Sequence, residues 1–191
     1  YAMLGCVFGN KSIPSKFALI GDSHAGYIHH QMDQVFSKSN KSFVLYAKNG
    51  CPPSLGIEST NKSHKNCSLF NLGVIDDLLE KEITTAILFS RFSWYLEKDG
   101  FQNSYKVREG KTFQHFVAES SAPYVNQVSE KLESMRVFIR ELRLQGIRVL
   151  VVEPIPEMGW HIPNLKMHSI IFNKPMRTIS RSGFEETTEK R

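Results

Sequence analysis

Apolar runs and helical repeats alternate along this chain. Short apolar runs are typical of buried strands, and they occupy residues 17–22, 42–47, 85–90 and 148–153. Between them, apolar residues recur every three to four positions, which predicts helices over about residues 24–38, 69–82 and 124–145. The alternation predicts a three-layer α/β/α fold, in which helices cover both faces of a central parallel sheet.

Other stretches carry no such pattern. Residues 1–16 show no clear periodicity, and residues 96–121 are polar and broken, which predicts an excursion over the surface. Residues 157–191 are irregular up to a helix that we expect to begin near Phe184. The strand–helix pattern is therefore confined to about residues 17–153.

Length and composition fit a single globular domain over residues 1–191, with 41% hydrophobic and 23% charged residues. No apolar run approaches the roughly 20 residues of a membrane span. The net charge of +5 is scattered, and the basic residues 174–191 lack the interleaved aromatics of a nucleic-acid groove, so we expect no nucleic-acid partner. Because the chain starts at Tyr1 without an initiator Met or a signal peptide, we expect an excised domain or a processed product.

The first candidate catalytic residues lie where the first predicted strand ends. Phe-Ala-Leu-Ile runs straight into Gly21, Asp22, Ser23 and His24, and a helix follows at once. Ser23 would then lie at the carboxyl end of a strand and the start of a helix, where free N–H groups favour a developing negative charge. This position suits a serine nucleophile whose own N–H is an oxyanion donor. The alternative is a plain helix N-cap, since Asp and Ser are common there.

Three further loops follow the other predicted strands and should meet Ser23 at one edge of the sheet. Gly50 offers an unobstructed N–H for an oxyanion, or is only a turn glycine. Arg91 has donors for a carboxylate, phosphate or sugar, and Trp94 with Tyr95 offers a stacking platform, unless these side chains are solvated or core. Residues 154–157 complete the crevice.

The cysteines indicate the compartment. Cys51 and Cys67 bracket a loop rich in Pro, Gly, Ser, Asn and Lys. A disulfide closing this loop would stabilise the fold by about 3 kcal/mol and indicate an oxidising environment. Zinc is the alternative, but C-x-x-C and paired-His spacings are absent. We favour the disulfide, which leaves Cys6 over.

Four motifs together resemble the SGNH domain: Ile-Gly-Asp-Ser-His-Ala at 20–25, Lys-Asn-Gly-Cys-Pro-Pro at 48–53, Ser-Arg-Phe-Ser-Trp-Tyr at 90–95 and Val-Glu-Pro-Ile-Pro-Glu at 152–157. They resemble most the periplasmic SGNH domain fused to bacterial membrane acyltransferases of the acyltransferase-3 type, which O-acetylate surface polysaccharides. The resemblance covers about residues 14–170 and implies a flavodoxin-like SGNH fold.

By this resemblance Ser23 is the nucleophile, and the N–H groups of Ser23 and Gly50 form the oxyanion hole. Gly21, Asp22 and His24 support the motif, and Cys51 matches the family's disulfide cysteine, with Cys67 as its partner. No metal or cofactor is implied. The Asn that SGNH proteins carry after the third strand is absent here, so we expect Arg91 and Trp94 to contact the substrate instead.

The family's general base is the His of an Asp-x-x-His block, and this sequence contains no such block. We expect the side chain of His24 to point away from Ser23, and the later candidates, His161 and His168, lie after the last predicted strand. We therefore expect the chain to be cut short before the last strand of the sheet, with poor solubility as a result.

The resemblance implies an O-acyltransferase that moves an acyl group, usually acetyl, through Ser23 to a sugar hydroxyl of a surface polysaccharide or lipopolysaccharide. The acyl donor would come from a membrane acyltransferase domain, with this domain on the periplasmic side of an inner-membrane protein. Two alternatives stay open: an esterase of carbohydrate or lipid esters, and a truncated, inactive glycan-binding domain.

Overall fold

The computed structural model describes residues 5–59, 65–96, 102–103, 105–106, 116–118, 124–153, 155, 157–176 and 178–188. The chain divides into two compact units. The first comprises residues 1–96 with 114–154, and the second comprises residues 97–113 with 155–191.

The first unit contains all the strands among the described residues. These are β1 (Cys6–Gly9), β2 (Phe17–Gly21), β3 (Ser42–Ala47), β4 (Ile57–Ser59), β5 (Thr85–Phe89), β6 (Phe116–Ala118) and β7 (Arg148–Val151). Its helices are α1 (Ser23–Lys38), α2 (Cys67–Glu80), α3 (Phe92–Leu96) and α4 (Tyr124–Leu144). The predicted strands and helices are therefore present, with bounds that differ by a few residues.

The main sheet has the strand order β1-β3-β2-β5-β7, with β2 at its centre. Strands β3, β2, β5 and β7 are parallel, and Leu19 of β2 lies between Leu45 and Ile87 of its neighbours. Strand β1 pairs antiparallel with β3, with Cys6 opposite Leu45. The predicted α/β fold with a central parallel sheet is therefore confirmed, and β1 adds an antiparallel edge strand that was not predicted, because four residues are too few to show periodicity.

Helices cover both faces of the sheet, as predicted. Successive side chains of β2 point to opposite faces, so β2 contributes to a core on each side of the sheet. Leu19 belongs to a core formed with α1, which also contains Ala25, Phe43 and Phe89. Ala18 and Ile20 belong to a core formed with α2 and α4, which also contains Val44, Val74, Leu78, Phe138 and Leu142. Each fully buried large apolar side chain stabilises the fold by about 2 kcal/mol.

Some predicted details were wrong. The helical spacing of apolar residues alone predicts Val35 of α1 and Leu72 and Leu79 of α2 as core positions, but they are exposed. Buried Val74 and Asn71 take the inward face of α2 instead. Residues 116–118, assigned to a surface excursion, form β6 and pair antiparallel with β4.

The second unit contains α5 (Ile162–Ile171) and α6 (Arg181–Thr188). Helix α5 lies in a stretch that we had expected to be irregular. The Asn103 side chain donates to the carbonyl of Met158 at 3.1 Å, and the rings of Tyr105 and Trp160 stack with centroids 5.6 Å apart.

Strand β7 forms one edge of the main sheet, and no strand among the described residues pairs with its outer side. Leu150, Val151 and the following Val152 are 39%, 55% and 37% exposed. Within the described ranges, no helix is long and apolar enough to cross a membrane.

Candidate functional site

The turn after β2 is built tightly around Gly21. A Cβ at this position would lie 1.9 Å from the carbonyl oxygen of Phe89, so no other residue fits without backbone movement. Asp22 is the N-cap of α1, where its Oδ1 accepts a hydrogen bond from the His24 N–H at 2.8 Å. Ser23 is therefore the first helical residue, at the positive end of the helix dipole.

The carboxylate of Asp22 joins this turn to the segment after β5. Its Oδ2 accepts from the Tyr95 hydroxyl at 2.5 Å and from the Arg91 N–H at 3.1 Å, and its Oδ1 lies 3.2 Å from the His24 Nδ1. Burial alone would raise the pKa of Asp22, but the hydrogen bonds from His24, Tyr95 and Arg91 outweigh it and lower the pKa to about 2. Asp22 is therefore a fixed negative charge next to Ser23.

A cavity of about 270 Å³ opens beside this turn. The described residues that line it are Asp22, Ser23, His24, Asn49, Gly50, Arg91, Trp94 and Tyr95. The loops that follow β2, β3 and β5 thus meet at one edge of the sheet, as the parallel topology predicted. His24 lines the cavity as well, although its side chain was expected to point away from Ser23.

The loop that carries Gly50 is firmly anchored. Gly50 has a φ of 69°, which favours glycine, and the next residue, Cys51, forms a disulfide with Cys67 at the start of α2. The buried Asn71 side chain donates to the carbonyls of Pro52 and Ser54, both at 2.8 Å. The predicted disulfide is thus present, and it connects the Gly50 loop to α2.

Arg91 and Trp94 form a pair in the cavity wall. The Arg91 guanidinium carbon lies 4.2 Å from the centre of the Trp94 ring, which is a cation–π distance. An indole ring and a guanidinium group in contact present both a flat apolar face and a set of hydrogen-bond donors.

Of the two roles left open for Tyr95, a stacking surface or a core residue, the structure shows the core residue. It is only 3% exposed and packs with Ile57 and Met135, while its hydroxyl is bound to Asp22. Burial and the negative charge of Asp22 raise its pKa, so the hydroxyl stays protonated and donates. The hydrogen bond to Asp22 could not be predicted from the sequence, because a Tyr beside a Trp has the same pattern whether it stacks on a ligand or packs in the core.

Asn49 is a cavity residue that the sequence reasoning missed. Its amide is exposed and can donate a hydrogen bond. The resemblance predicts an Asn donor after the third predicted strand, whereas Asn49 precedes Gly50 in the second motif. Its position next to Gly50 in that motif was the signal that could have identified it.

The remaining predicted residues belong to the second unit or fall outside the described residues. His161 caps α5 of the second unit, and His168 lies within α5. Of the loop after β7, Pro154 and Pro156 lie outside the described residues. In the described part of the chain, no three His, Cys, Asp or Glu side chains are grouped closely enough to hold a metal ion.

Comparison with known proteins gives a family. The family model of the SGNH domain (fused to AT3 domains) matches residues 2–190. The fold is similar to that of the periplasmic domain of a lipopolysaccharide acetyltransferase from Salmonella ser. Paratyphi A, with a TM-score of 0.57 and 10% sequence identity. This match covers 93% of the present chain but only 62% of that domain, and such a low identity shows the fold alone. Comparison with curated sequences gives no match.

Proposed function

The chain belongs to the SGNH domains that are fused to AT3 domains, and we propose on this premise that it is an O-acyltransferase with Ser23 as its nucleophile. It moves an acyl group, usually acetyl, to a sugar hydroxyl of a surface polysaccharide or lipopolysaccharide. The observation that carries the proposal is the position of Ser23, the first residue of α1 and part of the cavity wall.

The reaction has two half-reactions. Ser23 Oγ attacks the acyl carbonyl carbon and gives its proton to a base, and the bond to the donor's leaving group breaks, which leaves an ester on Ser23. A sugar hydroxyl then attacks this ester and loses its own proton, and Ser23 Oγ departs and is protonated again. The acyl group is conserved throughout, and nothing is oxidised or reduced.

Both half-reactions pass through a tetrahedral oxyanion. We assign its donors to the backbone N–H groups of Ser23 and Gly50, and the Asn49 amide is a third candidate. All three residues line the same cavity. Preorganised donors of this kind each lower the barrier by about 3 kcal/mol.

Arg91 and Trp94 are the proposed contacts for the acceptor sugar. The Trp94 ring suits the apolar face of a pyranose, and the stacked Arg91 guanidinium can donate to hydroxyl or acidic groups. Both side chains border the cavity that Ser23 borders, so they can bind the sugar whose hydroxyl attacks the ester.

The reaction also needs a general base and an acyl donor, which the cavity residues named above do not supply. SGNH proteins supply the base as the His of an Asp-x-x-His block, which this 191-residue sequence does not contain. The acyl donor reaches Ser23 from the AT3 membrane domain with which the family is fused. The domain accordingly works on the periplasmic side of the inner membrane.

The test is turnover of p-nitrophenyl acetate by this chain and by a form extended past Arg191, each with and without Ser23→Ala. Ser37→Ala is the matched control, because Ser37 is an exposed serine on the same helix. We expect turnover in the extended form, its loss in Ser23→Ala, and full turnover in Ser37→Ala. Adding a sugar acceptor then separates transfer from hydrolysis by the amount of acetyl sugar formed.

Three results would overturn the proposal. An extended form that is folded but inert would leave glycan binding as the function to test. Turnover that survives Ser23→Ala would mean that another group reacts with the ester. Hydrolysis without any acetyl sugar, across a panel of acceptors, would replace transferase by esterase.

A further inference from the structure

We infer that Tyr95 is a positioning residue for acyl transfer, and that its hydroxyl acts through Asp22 on the turn that holds Ser23. This inference rests on the proposed function. Tyr95 is among the residues that line the cavity, and its hydroxyl is already bound to Asp22 at 2.5 Å.

The first step of the argument is what Asp22 connects. One oxygen of its carboxylate accepts from the His24 N–H in the first turn of α1. The other oxygen accepts from the Arg91 N–H and the Tyr95 hydroxyl, which belong to the segment after β5. Asp22 thus holds together two segments that are distant in sequence, since Asp22 and Arg91 are 69 positions apart.

The second step is what these two segments carry. The turn carries Ser23, and the segment after β5 carries the Arg91–Trp94 pair. If Ser23 attacks the acyl group and the pair binds the sugar, the Asp22–Tyr95 bond fixes the nucleophile relative to the acceptor. Misplacement of reacting groups by about 1 Å can cost about a hundredfold in rate.

The third step is that Tyr95 is itself fixed. Its ring is 3% exposed and packs against Ile57 of β4 and Met135 of α4. The hydroxyl is therefore held in place by the core of the first unit, and it limits the movement of Asp22. Without the Tyr95 hydroxyl, Asp22 Oδ2 would accept only from the Arg91 N–H, and Asp22 would be less constrained.

The molecule contains a matched control for this bond. Tyr46 of β3 is also 3% exposed, and its hydroxyl donates to Asp77 Oδ2 at 2.6 Å. Neither Tyr46 nor Asp77 is among the described residues that line the cavity. Tyr46→Phe therefore removes a partly buried Tyr–Asp hydrogen bond of similar length that lies outside the cavity lining.

The experiment compares Tyr95→Phe with Tyr46→Phe in the form extended past Arg191, with p-nitrophenyl acetate as the acyl donor and a sugar acceptor present, so that kcat is measured as acetyl sugar formed. We expect Tyr95→Phe to lower kcat about tenfold to a hundredfold, with KM changed less than about twofold. Tyr46→Phe should leave kcat unchanged, although thermal unfolding should show a loss of stability in both variants. Equal kcat in the two variants would overturn the inference.

A double-mutant cycle tests whether Tyr95 acts through Asp22. If it does, Asp22→Asn combined with Tyr95→Phe costs little more than Asp22→Asn alone, because the two residues act as one unit. Additive losses would overturn this route. Ser23→Ala separates the two proposals: if it leaves turnover intact, the proposed function fails, whereas if turnover is lost and Tyr95→Phe behaves like Tyr46→Phe, only this inference fails.

Discussion

The turn after β2 and the strand β7 lie in the same sheet but differ in how completely they are covered. At the turn, Asp22 is 1% exposed and both of its carboxylate oxygens accept hydrogen bonds. At β7, consecutive apolar side chains from Leu150 to Val152 remain exposed at the sheet edge. The geometry around Ser23 is therefore set by contacts inside the first unit, whereas β7 presents a surface on which further strands can pair.

The largest expected effect on stability comes from Gly21→Ala, which disrupts the tightly packed turn after β2. The new Cβ would overlap the carbonyl oxygen of Phe89, so we expect the free energy of unfolding to fall by about 3 kcal/mol or more. Urea unfolding measures it. Gly26→Ala is the control, because its Cβ meets only Ala47 at 3.8 Å and should be neutral or slightly stabilising. Similar stabilities in the two variants would contradict the steric argument.

The disulfide should have the next effect. Replacing both Cys51 and Cys67 by Ala should lower the free energy of unfolding by about 3 kcal/mol, because the loop between them is no longer closed in the unfolded chain. Urea unfolding with and without dithiothreitol checks this, and reductant should affect only the protein with the bond. Cys6→Ser is the control, since Cys6 is exposed and outside the disulfide. A stability that does not respond to reductant would refute the prediction.

Asp22 makes the turn sensitive to acid. Because its pKa falls from 3.8 to about 2 on folding, the charged form stabilises the native state by about 2 kcal/mol above pH 4. This contribution is lost as the pH falls from about 4 towards 2. Unfolding measured at pH 6 and pH 2.5 should therefore show a smaller stability difference between wild type and Asp22→Asn at the lower pH. A difference that is constant with pH would argue against the lowered pKa.

The smallest effect on stability is expected at β7, where Val151→Lys should change it by less than about 0.5 kcal/mol. The same change should reduce self-association, because a charge on an edge strand opposes pairing with a second strand. Sedimentation velocity measures the distribution of species. Val35→Lys adds the same charge at a comparably exposed valine of α1 and should leave association unchanged. Equal behaviour of the two variants would show that β7 is not the associating surface.

The fold could be predicted from the sequence where periodicity was strong. The runs that became β2, β3, β5 and β7 were clear because each is almost continuously apolar, as is typical of parallel strands, although β7 is exposed at the sheet edge. Strand β1 has only four residues, and its place at the edge depends on pairing with β3, which the local sequence does not encode. Helix α5 was missed because it contains Pro163 and has no buried residue, so its apolar positions define no inward face.

The candidate site was predictable as far as it depends on topology. Parallel strand ends meet at one edge, and this brought Ser23, Gly50, Arg91 and Trp94 to one cavity. The bond between Tyr95 and Asp22 could not be predicted, because it joins residues 73 positions apart through a hydroxyl whose direction depends on tertiary packing. The chemical roles of these residues stay predictions that the Ser23 and Tyr95 variants test.

The stacking of Arg91 on Trp94 has an optical consequence. The chain contains only two tryptophans, and Trp160 belongs to the second unit. In a Trp160→Phe variant, the emission comes from the indole in the cavity wall, next to the guanidinium group. A sugar that displaces Arg91 from the ring would change the polarity around that indole. The wavelength and intensity of its fluorescence would then report occupancy of the cavity directly, without any added label.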